Sequence, residues 1–154
     1  MRPIYLLLCS FILLFLNLCI PTVLLTAQET DTISLSIDNG TLYGILTDAG
    51  KNSPVVVIIA GSGPTDHNGN GPGFKSNSLW QLADSLAQYG ISSLRYDKRG
   101  IGFSQLDSVA IQKTRFDDFS NDAVLWVDWL DQQSRYKSIT IIGHSQGSLV
   151  GMIS

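Results

Sequence analysis

Ser138-Ile139-Thr140-Ile141-Ile142-Gly143-His144-Ser145-Gln146-Gly147 is the stretch on which the reading of this chain turns. Its first half, Ser138 to Ile142, is a short apolar strand. Its second half is G-x-S-x-G, with a glycine two places to either side of Ser145. A strand that turns sharply into a helix forces the central residue into a strained conformation, and the flanking glycines leave room for the bend. The hydroxyl then projects beyond the carboxyl end of the strand, above the N-terminus of the next helix. Backbone N–H groups there can stabilise a developing oxyanion. Ser145 is the candidate nucleophile, and the N–H of Gln146 a candidate oxyanion donor. A glycine-containing loop without chemistry would carry the same five letters, so the elements upstream decide between the two.

Those elements alternate. Thr32 to Ile37 and Thr41 to Thr47 each alternate apolar and polar residues around the turn signal Asp38-Asn39-Gly40, which predicts a β-hairpin with one buried face. Val55 to Ala60 is an unbroken apolar run rich in β-branched residues, the pattern of a strand buried on both faces of a parallel sheet. Leu79, Leu82, Ala83 and Leu86 then form one helical stripe within Asn77 to Gln88, and Gly90 is placed to end that helix in the left-handed conformation. Ile91 to Tyr96 is the next strand. Arg115 to Gln132 is a second helix with Phe119, Ala123, Trp126 and Leu130 on one face, Asp117 and Asp118 in its first turn, and Thr114 with Asp117 as a capping box. Strand–helix alternation predicts an α/β fold with a largely parallel sheet.

Functional loops of such sheets lie beyond the carboxyl ends of the strands. The loop Gly61 to Gly73 follows the first buried strand and shares that edge with Ser145. Its glycines let the backbone approach a substrate, so the N–H of Ser62, or failing that Gly63, is the second candidate oxyanion donor. Within it, Gly69 to Ser76 nearly spells a phosphate-binding loop, but Phe74 stands where the second glycine is required. Asp66 to Gly71 matches half of a calcium loop, with Asp66, Asn68 and Asn70 as ligands, but its twelfth position is Asn77 rather than a bidentate glutamate. In Arg95 to Ser104, Asp97 and Arg99 are expected to tie down the turn through charge-assisted hydrogen bonds.

Together, AGSGPTDHNGN, YDKRGIGFS and GHSQG resemble the oxyanion loop, the D-x-R-G-x-G-x-S turn and the nucleophile elbow of the α/β-hydrolase superfamily. They are most similar to the serine aminopeptidase S33-like (Hydrolase_4) group of bacterial esterases. The resemblance covers roughly residues 32 to 154. It implies an eight-stranded, mostly parallel sheet and a Ser-Asp-His triad whose acid and histidine follow the nucleophile. It also implies hydrolysis of a small-molecule carboxylic ester, or an amide, through an acyl-enzyme that needs no metal or organic cofactor. The chain's two histidines are His67 and His144. His144 adjoins Ser145 and is poorly placed to accept its proton, and His67 belongs to the oxyanion loop, where it is a possible substrate contact. The expectation is therefore an N-terminal portion of an α/β-hydrolase fold, truncated after the elbow. The Ser138–Ile142 strand would be an exposed edge, and the alternative to an intact hydrolase is a catalytically silent fragment or a subunit completed by a second polypeptide.

The N-terminus has a different character. Ile4 to Leu16 is apolar except for Ser10, Arg2 precedes it, and Thr26-Ala27-Gln28-Glu29 turns small and polar. This is the layout of a signal peptide cleaved after Ala27, with an uncleaved membrane anchor as the alternative. The expected organisation is a leader over 1–27 and a partial hydrolase domain over 28–154, exported to the periplasm or beyond. Both cysteines, Cys9 and Cys19, lie in the leader, so the remainder suits an oxidising compartment but draws nothing from disulfides. The chain carries ten basic and thirteen acidic residues. Without a run of lysine or arginine, it offers nucleic acid no basic face.

Overall fold

The structure, a computed structural model, describes residues 29–154; the expected leader over 1–27 lies outside them. Its centre is the apolar run read above, strand β3 (Val55–Ile59). Alternate residues of a strand point to opposite faces. Val55, Val57 and Ile59 join one buried cluster, while Val56 and Ile58, with Ala60 just beyond, join another on the opposite face. Both faces are covered, which is why no polar alternation interrupts the run.

Strands β1 (Glu29–Ile37) and β2 (Gly40–Asp48) form the predicted antiparallel hairpin. The chain continues through β3, helix α1 (Ser78–Gln88), β4 (Ser92–Tyr96), a short β5 (Gln105–Leu106), helices α2 (Ser108–Lys113) and α3 (Phe116–Gln132), strand β6 (Ile139–Gly143) and helix α4 (Gln146–Ile153). The sheet order is β1-β2-β4-β3-β6, with β5 on β2. β4, β3 and β6 run parallel, and the hairpin meets β4 antiparallel. Among the described residues β6 is an outer strand of the sheet, with Thr140 and Ile142 exposed.

The helices divide between two layers. The Leu79–Ala83 stripe of α1 packs on Val56, Ile58 and Ala60. Ala123, Trp126 and Leu130 of α3 pack on the other face, together with Val150 of α4. Trp126 is fully buried, with its ring 5.7 Å from that of Tyr96. Gly90 (φ 72°) ends α1 as predicted, and the N–H of Ile91 reaches back to the Leu86 carbonyl. The start of α3 differs from expectation by one residue. Asp118, not Asp117, accepts the N–H of Arg115, and the Thr114 N–H that a box with Asp117 would use goes to the Ile111 carbonyl at the end of α2.

This topology creates a crevice. After β3 the chain leaves for the α1 face, and after the neighbouring β6 it leaves for the α4 face. Adjacent parallel strands whose connections depart to opposite sides leave a cleft at their carboxyl ends.

Candidate active site

The elbow stands at that cleft. Ser145 has φ 54° and ψ −119°, a conformation that costs a non-glycine residue about 1–3 kcal/mol and persists only where its surroundings impose it. The His144 N–H donates to the Ile59 carbonyl at 3.0 Å, the Gly147 N–H to the His144 carbonyl, and the Ser148 N–H to the Ser145 carbonyl. The Ser148 hydroxyl closes on the Gly143 carbonyl at 2.7 Å. The two glycines of the motif are required by closeness. A Cβ on Gly143 would lie 2.2 Å from the Gly147 carbonyl oxygen, and one on Gly147 would lie 2.4 Å from the Ile59 carbonyl oxygen. Ser145 is left exposed at the start of α4.

Across the cleft runs the loop after β3. Its first residues are held from below by Lys98, whose ammonium donates to the carbonyls of Gly61 and Gly63, each at 2.5 Å. Lys98 is 7% exposed, and among the described residues no carboxylate pairs with it. Burial pushes its pKa down. Further along, Asp66 accepts the N–H groups of Asn68 and Asn70, and the Asn70 amide pairs with Asn77 in both directions.

The D-x-R-G-x-G-x-S turn secures both. Asp97, fully buried, accepts the N–H groups of His67 at 2.6 Å and Phe103 at 2.8 Å. Gly102 (φ 56°) leaves space for it, since a Cβ there would lie 2.2 Å from the Asp97 carboxylate. The Ser104 hydroxyl donates to the Asp97 carbonyl and accepts the N–H of Tyr43. Arg99 reaches helix α3, donating from Nε and Nη2 to the two carboxylate oxygens of Asp122 at 2.7 and 2.6 Å. Burial pushes the Asp122 carboxyl up, against the pull of Arg99. Burial also works against the Arg99 cation, but the bonds to Asp122 outweigh it and hold its pKa up. The expected tying of this turn by Asp97 and Arg99 is thus present, with partners 30 and 23 residues away.

A cavity of about 640 Å³ joins these parts. Ser145 and His144 form one wall and Gly61 and Ser62 another, while Leu79, Leu82 and Phe74 make the floor apolar. Of the expected oxyanion donors, Ser62 lines this cavity; Gly63 and Gln146 do not, although each follows a residue that does, Ser62 and Ser145. Among the described residues the N–H groups of Ser62, Gly63 and Gln146 donate to no protein acceptor. That leaves them available to a ligand oxygen.

His67 is placed differently from the expected substrate contact. It is 8% exposed and absent from the cavity wall. Arg95 Nε donates to the Asn68 carboxamide oxygen, which turns the Asn68 amide nitrogen toward His67 Nε2. Nε2 therefore accepts, and Nδ1–H donates to Asp97 at 2.8 Å. The ring is flanked by Tyr43 and Phe103. This chain of bonds joins the loop to β4. Of the side chains considered for calcium, Asp66 accepts two backbone N–H groups at Oδ1, Asn68 Oδ1 faces a guanidinium, and Asn70 Oδ1 accepts the Asn77 N–H. Among the described residues no group of three or more His, Cys, Asp or Glu gathers to hold a metal.

The family model described as serine aminopeptidase, S33 (Hydrolase_4) matches residues 70–153, which include the turn at Asp97 and the elbow but not the Gly61–Gly63 segment. No curated protein matches the chain. Among solved structures, it is similar to the α/β-hydrolase GrgF from Penicillium sp. sh18, with 21% identity and a TM-score of 0.65 over 79% of this chain and 39% of that one. It is similar to the Pyrococcus furiosus esterase Pf2001, with 22% identity and a TM-score of 0.64 over 82% of this chain and 44% of that one. Est1E from Butyrivibrio proteoclasticus, solved with ferulic acid bound, gives 22% identity and a TM-score of 0.64 over 78% and 45%. The chain therefore has a partial α/β-hydrolase fold and spans about two fifths of the length of these structures.

Proposed function

Because this chain belongs to the serine aminopeptidase S33 (Hydrolase_4) family, we propose that it carries the nucleophile half of an exported serine hydrolase acting on carboxylic esters. The observation that carries this reading is the strained Ser145 set across one cavity from Ser62, with unpaired N–H groups at Ser62 and Gln146. Ser145 Oγ attacks the ester carbonyl carbon, and its proton passes to a base. The carbonyl oxygen becomes the oxyanion and accepts the N–H groups of Ser62 and Gln146, with Gly63 as the alternative to Ser62. Collapse expels the alcohol and leaves an acyl-enzyme, which water hydrolyses. An amide would follow the same course with an amine leaving group. The apolar leader supports export to the periplasm or beyond, or retention on a membrane if uncleaved.

The base comes from outside the described residues in this proposal. His67 is locked to Asp97 and Asn68, and the ring of His144 lies against Gly61, where a Cβ would meet its Nδ1 at 2.8 Å. Those two placements favour a second reading, a catalytically silent chain or a subunit completed by another polypeptide. Labelling with a fluorophosphonate separates the readings. With that base supplied, in the intact protein or by a completing polypeptide, mass spectrometry should show one adduct on Ser145 that is lost in Ser145→Ala. A folded, completed protein without that adduct would refute an activated Ser145 and leave the silent reading standing.

A further inference from the structure

We propose that Lys98 is the positioning residue of the oxyanion site: its ammonium grips the Gly61 and Gly63 carbonyls and so aims the Ser62 N–H into the cavity beside Ser145. The proposal rests on the reading of Ser145 and Ser62 given above and adds the device that orients one donor.

The geometry is set by the peptide bond. In a trans peptide the carbonyl of one residue and the N–H of the next point to opposite sides, and the described chain holds no cis peptide. Fixing the Gly61 oxygen on Lys98 therefore turns the Ser62 N–H away from Lys98, toward the side where Ser62 lines the cavity. The second bond fixes the next carbonyl but one, at Gly63, whose φ of 83° only glycine adopts freely. Little else restrains this segment. Ser62, Gly63 and Pro64 are exposed, and their remaining bonds are local: the Thr65 N–H to the Gly63 carbonyl, and the Thr65 hydroxyl to the Ser62 carbonyl at 3.5 Å. Lys98 follows β4, the parallel neighbour of β3, so its stem spans one strand spacing to reach beneath the loop. A lysine, with three donors and no acceptor, suits two carbonyls that a water molecule or hydroxyl would hold less firmly.

Lys98→Met keeps the apolar stem and removes the donors; Lys98→Arg restores donors of different shape. Backbone NMR of the wild type and both variants reads the grip directly. The carbonyl ¹³C resonances of Gly61 and Gly63 and the amide of Ser62 should shift in Lys98→Met, while the Gly143 and Gly147 amides stay in place. In parallel, the fluorophosphonate reaction of the completed protein should slow in its maximal rate by roughly 10- to 100-fold with the probe's half-saturation unchanged. Lys98→Arg should recover part of that rate. Unmoved Gly61, Gly63 and Ser62 resonances in a folded Lys98→Met would overturn the grip whatever Ser145 does. A shifted loop with an unchanged labelling rate would overturn its role in aiming the donor. Completed wild type that takes no label would instead sink the reading of Ser145, leaving the grip to be judged by the resonances alone. Should Lys98→Met fail to fold, an Nζ signal of wild-type Lys98 in fast exchange with water, as for a free surface ammonium, would overturn the proposal.

Discussion

Replacing Gly147 by alanine sets two effects of opposite sign against each other. Gly147 lies in the first turn of α4, and an alanine in a helix is favoured over glycine by at most about 1 kcal/mol. The new Cβ, however, would stand 2.4 Å from the Ile59 carbonyl oxygen and 2.7 Å from that of Ala60. Reaching even 3.0 Å, the closest approach that real Cβ atoms show, requires a movement of 0.6 Å (3.0 − 2.4). The obstacle is the backbone of β3 and the residue after it, which cannot rotate aside. Overpacking of this kind costs roughly 1–3 kcal/mol. Pushing α4 outward also stretches the 3.0 Å bond from the His144 N–H to the same Ile59 oxygen, worth about 0.5–1.5 kcal/mol. The clash therefore wins, by about 2 kcal/mol on these figures. Gly151→Ala is the control. Its Cβ would meet Ile141 Cγ2 at 2.7 Å, a branch of a side chain stiff at χ1 rather than backbone, so the loss of stability should be smaller than in Gly147→Ala. Urea unfolding followed by tryptophan fluorescence gives both values, provided the m-values agree. Labelling of Ser145 in the completed protein should also slow in Gly147→Ala, since a displacement approaching 1 Å can cost up to about 100-fold. A Gly147→Ala chain as stable as the wild type would refute the argument from closeness.

Arg99→Met should destabilise the chain by about 3–5 kcal/mol at neutral pH, because it strands the Asp122 carboxylate without its partner. Burial already raises the Asp122 carboxyl and would raise it further without Arg99. The folded variant would then hold a proton that the unfolded chain has lost, so its deficit should shrink as pH falls toward the ordinary carboxylate range and grow as pH rises. Urea titrations at several pH values check the sign, and a deficit independent of pH would count against it. Gly102→Ala should cost about 2 kcal/mol or more by the same assay, since it adds left-handed strain to a 2.2 Å contact with Asp97. Ser104→Ala should cost about 1 kcal/mol by leaving the part-buried Tyr43 N–H without its acceptor; hydrogen exchange at Tyr43 should speed up selectively.

Much of this fold was legible because the signals were local. The unbroken run of β3 and the apolar stripes of α1 and α3 each report their own surroundings, and the elbow is a five-residue spacing whose steric demand lies within its own turn. Shorter pieces left no such trace. Helix α2 has six residues, too few for a period to show, and it is set by the Asp107 side chain capping the Ala110 N–H and by Ile111 seated against Gly100. The first turn of α3 was misread by one position because the Thr114 N–H had two competing uses, and only the presence of α2 settles which one it serves.

The sequence by itself determined the alternation of strands and helices and the bend at Ser145, since periodicity and tight turns depend on neighbours a few residues apart. Tertiary structure alone decided the order β4-β3-β6, and with it which loops share the cleft. It turned His67 inward, onto Asp97 thirty residues away, and brought Lys98 beneath carbonyls 37 and 35 residues before it. Those contacts join segments that meet only across the sheet, and no spacing along the chain encodes which buried donor will find which acceptor.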